Sequence, residues 1–137
     1  MSEIWRTEET NISTINYTVP ITDEMIEDIL CSAFEGGITY WAGNVSCKDK
    51  EDMQKTGGYK SEYLTKTKKK DAKLIIHTVD DNKMPITKKS IIDALQKMDD
   101  PKNGCRKALG RVLDETYDAG DADLVLQMAC FGEVVYG

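Results

Sequence analysis

The clearest periodic segment of the chain starts at Thr22. Met25, Ile26, Ile29, Leu30, Ala33 and Phe34 recur at three- and four-residue spacing, while Glu27, Asp28 and Glu35 fall on the other side. That is the pattern of an amphipathic helix with one face toward a core. Thr22 is placed to cap it, Ile21 and Ile26 to staple it, and Asp23 and Glu24 to meet the positive helix start. Gly36-Gly37 is a stop signal, but Ile38 and Trp41 extend the same stripe. The helix is therefore expected to run through the glycines to about Ala42, with the glycines admitting close approach of another element.

Before this helix, Ile4, Trp5, Ile12, Ile15, Tyr17 and Val19 alternate weakly with polar residues over positions 1–19. This reads as one or two strands with a turn near Thr7 to Asn11. Residues 43–72 are polar, with short strands expected near Asn44–Cys47 and Glu62–Thr65. Lys73–Val79 is rich in β-branched residues and reads as a strand. Asp80 to Lys83 turns the chain, and Met84–Ile86 returns as a partner that Pro85 confines to an edge. Thr87 caps a helix over 88–98, with Ile91, Ile92, Leu95 and Met98 inward. Asp100-Pro101 starts another, striped by Cys105, Ala108, Leu109, Val112, Leu113 and Thr116 and ending near Tyr117. Asp121 caps a last helix through Leu124, Val125, Met128, Ala129 and Phe131, which Gly132 ends, and Val134 to Tyr136 is a terminal strand. The order is that of an α+β domain, a single unit over 1–137 with about four helices on a small antiparallel sheet. Ile26, Ile29, Leu30, Phe34, Leu109, Leu113, Leu124, Met128 and Phe131 are expected to be buried together.

Charge changes this picture. The 137 residues carry a net charge of −6 at pH 7, distributed in three blocks. Residues 1–58 hold 4 basic and 11 acidic residues, residues 59–111 hold 14 and 7, and residues 112–137 hold none and 6. The simplest reading is internal pairing of these blocks. The sharper one is a polarised surface, with an acidic face for a basic partner or a basic patch for an anion. The overall acidity argues against general nucleic-acid binding, which rests on cationic charge.

Chemistry of a more specific kind is sparse. His77 is the single histidine and sits inside an apolar strand, so a structural role is expected. Cys31, Cys47, Cys105 and Cys130 form no close pair, which argues for reduced thiols and against a zinc or redox motif. No metal or cofactor is expected. Asp118, Asp121 and Asp123 surround Gly120 but lack the spacing of a calcium loop. No phosphate-loop glycine motif is present, and the Asn11, Asn16 and Asn44 sequons are read as chance. No run reaches membrane-spanning length, and Met1 to Trp5 lacks the features of a signal peptide. A cytoplasmic location, with no membrane partner, is expected.

One feature opposes local physics. Lys102, Arg106 and Lys107 lie near a helix start and Asp114, Glu115 and Asp118 near its end, against the helix dipole. Lys88 and Lys89 open another helix in the same way. Either ion pairs with the acidic blocks override the penalty, or Lys88, Lys89, Lys102 and Arg106 converge on an anion. Tyr40, Trp41, Tyr59 and Tyr63 are core residues by default. Where exposed, such aromatics anchor protein interfaces.

Two segments carry a family resemblance. Ile29 to Trp41, containing Glu-Gly-Gly-Ile-Thr-Tyr-Trp, and Asp121 to Gly137, containing Gln-Met-Ala-Cys-Phe-Gly-Glu, resemble segments of small uncharacterised proteins of phages and prophages of Gram-positive gut bacteria. The resemblance covers under a quarter of the chain. It implies a small intracellular accessory protein, with counter-defence inhibition as one class of role, and carries no catalytic residues. The expected function is non-enzymatic docking onto a host protein with a basic surface. The expected contact residues are Glu24, Glu27, Asp28 and Glu35, with Tyr40 and Trp41 as aromatic anchors. The alternative is a nucleotide- or anion-binding protein that sequesters a phosphorylated signal.

Overall fold

The computed structural model describes residues 18–137. Most of the strand region expected over 1–19 lies outside the described residues. Helix α1 spans Asp23–Ser32. Thr22 caps it, its hydroxyl accepting the Met25 N–H at 3.2 Å, and Ile26, Ile29 and Leu30 are buried. The apolar stripe then passes through the glycines as a π turn over Ala33–Gly37, closed by the Ile38 N–H on the Ala33 carbonyl at 3.0 Å. The helix thus ends at the glycines instead of reaching Ala42. Its wider last turn rolls Ile38 and Trp41 into the core. A Cβ on Gly37 would lie 2.5 Å from the Ala119 carbonyl oxygen, whereas one on Gly36 would meet nothing. Gly37 is the point of close approach anticipated from the pair.

Strand β1 follows at Ala42–Ser46. Helices α2 (Lys50–Lys55) and α3 (Lys60–Lys66) come next. The strand expected near Glu62–Thr65 is helical. Tyr63 and Leu64 are buried, and the Tyr63 hydroxyl donates to the buried Asp52 carboxylate at 2.8 Å, which ties α3 onto α2. Strands β2 (Leu74–Thr78) and β3 (Lys83–Ile86) form the hairpin. The sheet order is β1-β2-β3, antiparallel throughout. Pro85 lies on the β3 edge, opposite Ile75.

Helix α4 spans Lys88–Met98, opened by a reciprocal Thr87–Ser90 capping box. The helix expected from Pro101 is a single 3-10 turn, Pro101–Asn103, stopped by Gly104 at φ 68°. Helix α5 begins at Arg106 and ends at Leu113, short of Tyr117. Glu115 then takes a left-handed φ of 62°. Helix α6 spans Ala119–Phe131, capped by Asp118, with Asp121 as the reciprocal third residue instead of the cap. Gly132 ends it at φ 73°. Val134 to Tyr136 forms no strand.

One hydrophobic cluster joins these elements. Ile26, Ile29, Leu30, Leu109 and Met128 are in it, with Phe34, Leu113, Leu124 and Phe131 half-buried against it. The expected list omitted Trp41, Ile76, Ile86 and Leu126, all fully buried. Helix α6 is buried on most of its surface and packs on α1, α4, α5 and the π turn. Among the described residues, no helix is long and apolar enough to cross a membrane.

Leu30→Ala removes a fully buried side chain and should cost about 2–5 kcal/mol in chemical denaturation. Gly37→Ala should destabilise the fold, because the Ala119 carbonyl is backbone and has little room to yield. Gly36→Ala should be neutral or stabilising, and the contrast between the two variants checks the close approach.

Candidate functional site

Glu24, Asp28 and Glu35 are exposed on α1 and its π turn. Glu27 is half-buried and accepts a hydrogen bond from the Thr65 hydroxyl, so it clasps α3 to α1 and is withdrawn from the expected acidic strip. Trp41 is fully buried, which corrects its expected role as a surface anchor. Tyr40 is 53% exposed, yet its hydroxyl turns inward and donates to Asp123 Oδ2 at 2.6 Å. Burial of that hydroxyl, and then the carboxylate beside it, push its pKa up to about 12.

A groove of about 320 Å³ runs between α1 and the α5–α6 connection. Met25, Ile29 and Val112 supply apolar lining, Tyr117 an aromatic wall, and Asp28 and Glu115 the carboxylates. Among the described residues, no lysine or arginine lines it. Two titratable groups in the lining have raised pKa values. The Cys31 thiol donates to Glu35 at 3.2 Å, and that bond, then burial, then the nearby carboxylates raise its pKa. Burial raises the Tyr117 pKa first, with Asp28 and Glu115 adding to it and a hydrogen bond with Ser32 opposing. Glu115 and Tyr117 were not singled out as contact residues from the sequence. Their signal was the acidic run placed against the α5 dipole. In the structure that run lies beyond the helix, and Asp118 belongs to the start of α6, where an acid is favourable.

The four cations expected to share an anion do not come together. Lys88 and Lys89 open α4, whereas Arg106 lies beyond its far end, near Asp99 at 3.5 Å. The helix between them has 11 residues, about 16 Å at the α-helical rise. Lys102 belongs to the 3-10 turn at that far end. Lys88 pairs with Asp23 at 2.6 Å and Lys89 with Asp93 at 2.7 Å. Lys88 thus pairs with an acidic block as expected, whereas Lys89 is offset by a carboxylate of its own helix.

A buried polar network lies beneath the exposed acids. Asp123 accepts from the Trp41 indole N–H at 2.7 Å, from the Tyr40 hydroxyl and from the Gln127 amide at 3.0 Å. Gln127, fully buried, accepts the backbone N–H of Val135 at 2.7 Å and of Tyr136 at 2.8 Å. Its amide nitrogen is 3.1 Å from the Tyr136 carbonyl. Tyr136 stacks on Trp41, ring centroids 5.3 Å apart and 4° from parallel, and donates its hydroxyl to Asp80 at 2.6 Å. Segments 29–41 and 121–137 therefore meet here. This is also why residues 134–136 need no strand partner.

His77 and Ser46 hydrogen-bond at 2.8 Å across β1 and β2. Neither lines the groove between α1 and the α5–α6 connection. Among the described residues, no three His, Cys, Asp or Glu side chains gather as a metal would require.

Two outcomes follow from this geometry. Gln127→Leu leaves the Val135 and Tyr136 N–H groups without their acceptor and should cost about 1 kcal/mol, the net worth of a hydrogen bond that water can partly replace at these exposed or half-buried residues. Amide hydrogen exchange at those two residues should become fast. Separately, the Arg111 guanidinium grips Asp121 with two bonds of 2.7 Å, which holds the Asp121 carboxyl below its ordinary range despite burial. A depressed carboxyl pKa stabilises the fold above the unfolded value and is lost as pH falls. Denaturation below about pH 4, the ordinary carboxyl range, should show Asp121→Asn losing less stability per pH unit than the parent.

In comparison with known proteins, the chain matches no family model, no curated protein and no solved structure.

Proposed function

We propose that the chain is a non-enzymatic binding protein that docks a basic partner protein in the groove between α1 and the α5–α6 connection. The observation that carries this reading is the groove's composition: apolar and aromatic lining, Asp28 and Glu115 beside it, and no cation in it among the described residues. Glu24 and Glu35 are exposed on the same helix and its π turn and extend the negative field. Such a field steers an oppositely charged partner and raises its association rate, an effect that weakens with salt. Tyr117 and Met25 supply short-range contact, the role first expected of Trp41. The phage setting implied by the resemblance makes a host protein, a basic component of a defence system, the partner to look for; inhibition is then the functional consequence of occupancy.

The test is kinetic, on a partner captured from host extract and then purified. Asp28→Lys with Glu115→Lys should slow association about tenfold or more at low salt, with circular dichroism unchanged. Tyr117→Ala should act on dissociation instead, speeding it. A partner whose association rate is indifferent to the double reversal at low salt contradicts this surface.

A further inference from the structure

The opposite charge is concentrated elsewhere. A cavity of about 500 Å³ opens between the α3–β2 connection and the start of α4. Lys68, Lys69 and Lys70 line one side and Lys88 and Lys89 the other, with the hydroxyl-bearing Thr65, Thr67 and Thr87 between them. Among the described residues, no carboxylate lines it. Two smaller cavities, of about 190 and 410 Å³, adjoin it through the shared Lys69. Across the three, nine lysines face three aspartates, in a protein whose net charge is −6.

The turn that presents these lysines is built. The Thr67 hydroxyl donates to the buried Asp52 carboxylate at 2.6 Å and accepts the Lys69 N–H at 3.1 Å. Lys69 is held by Asp49. Among the described residues, Lys68 and Lys70 have no carboxylate within ion-pair distance. Like charges gathered in one concavity repel one another, and a multiply charged anion relieves that repulsion. The first turn of α4 adds its backbone dipole to the same wall.

We propose that this lysine-lined cavity binds a short run of phosphates, as found in inorganic tripolyphosphate or in the tail of a nucleoside triphosphate. Three features select a compact ligand over a nucleic-acid strand. The volume falls in the range of small-molecule sites, about 300–1,000 Å³. Among the described residues, no aromatic side chain lines the cavity, so a base finds no stacking platform there. The patch is also ringed by carboxylates: Asp23 and Asp93 beside the α4 lysines, Asp49 beside Lys69, and Glu27 against Thr65. A long polyanion running past the lysines meets that acidic border and is repelled, whereas a ligand a few phosphates long stays within it. This site is separate from the acidic groove and stands or falls independently of it.

Titration calorimetry of the full chain with sodium tripolyphosphate tests the proposal. One-to-one binding is expected, weakening as salt rises. Lys68→Gln with Lys70→Gln should reduce affinity about tenfold or more, as for loss of charge-assisted contacts. Lys68→Arg with Lys70→Arg should retain it. Lys102→Gln with Arg106→Gln, which removes equal charge at the far end of α4, should leave it unchanged. Adenosine triphosphate binding more tightly than tripolyphosphate supports the proposal with a nucleotide as the source, and equal binding supports it with phosphates alone recognised. No saturable binding of either, an equal loss in the Lys102 and Arg106 variant, or tighter binding of a 20-residue single-stranded DNA than of tripolyphosphate overturns it.

Discussion

The Asp123 carboxylate is the constraint on which the rest of the molecule depends. It is 7% exposed, on a helix that packs against most of the others, and its described hydrogen-bond partners are neutral: an indole, a phenol and an amide. A buried carboxylate without such donors is costly to desolvate. The arrangement of Tyr40, Trp41 and Gln127 around it is therefore obligatory. That requirement fixes the chain after α1. The π turn brings Trp41 under α6, Gly37 lets the two backbones meet, and the Trp41 carbonyl accepts the Val79 N–H at 2.8 Å at the end of β2. One residue thus joins helix layer and sheet. Gln127, one turn further along α6, uses the other side of the network to hold the residues after Gly132.

Much of the fold was legible because local signals and tertiary demand agreed. Thr22, Thr87 and Gly132 cap as their side chains or lack of one dictate, and the β2–β3 hairpin follows β-branched content and an acidic turn. The misreadings have specific causes. Residues 60–66 offered only two adjacent apolar positions, too few to distinguish periods, and a buried Asp52 receiving the Tyr63 hydroxyl decided for helix. Asp100-Pro101 is a sound helix start, but Gly104 in the left-handed region ends it after one turn. Val134 to Tyr136 has strand composition, yet a glutamine side chain takes its N–H groups in place of a neighbouring strand. No periodicity announces that Asp121, Asp123 and Gln127 are buried, since polar residues on a helix are read as its outer face.

The same limit governed the site. The acidic and basic blocks were evident in the sequence, with internal pairing as the simplest reading and a polarised surface as the sharper one. Which charges share a surface was not, because that depends on helix lengths and crossings. Glu27, read as exposed, is spent on Thr65, and Lys88 and Lys89 face Lys68 to Lys70 instead of Lys102 and Arg106. The result is a protein with a negative groove between α1 and the α5–α6 connection and a lysine-lined hollow at the α3–α4 side. The two regions are stitched together by Glu27 with Thr65 and by Asp23 with Lys88. The two proposed sites share no lining residue.

The most direct test of this account is native-state hydrogen exchange of the Trp41 indole proton. If Asp123 holds that proton within the core, it should exchange only through opening of the α6 core, with protection matching that of the buried Leu126 amide. Exchange of the Trp41 indole at the rate of a solvent-exposed indole, in a protein whose α6 amides remain protected, would contradict it.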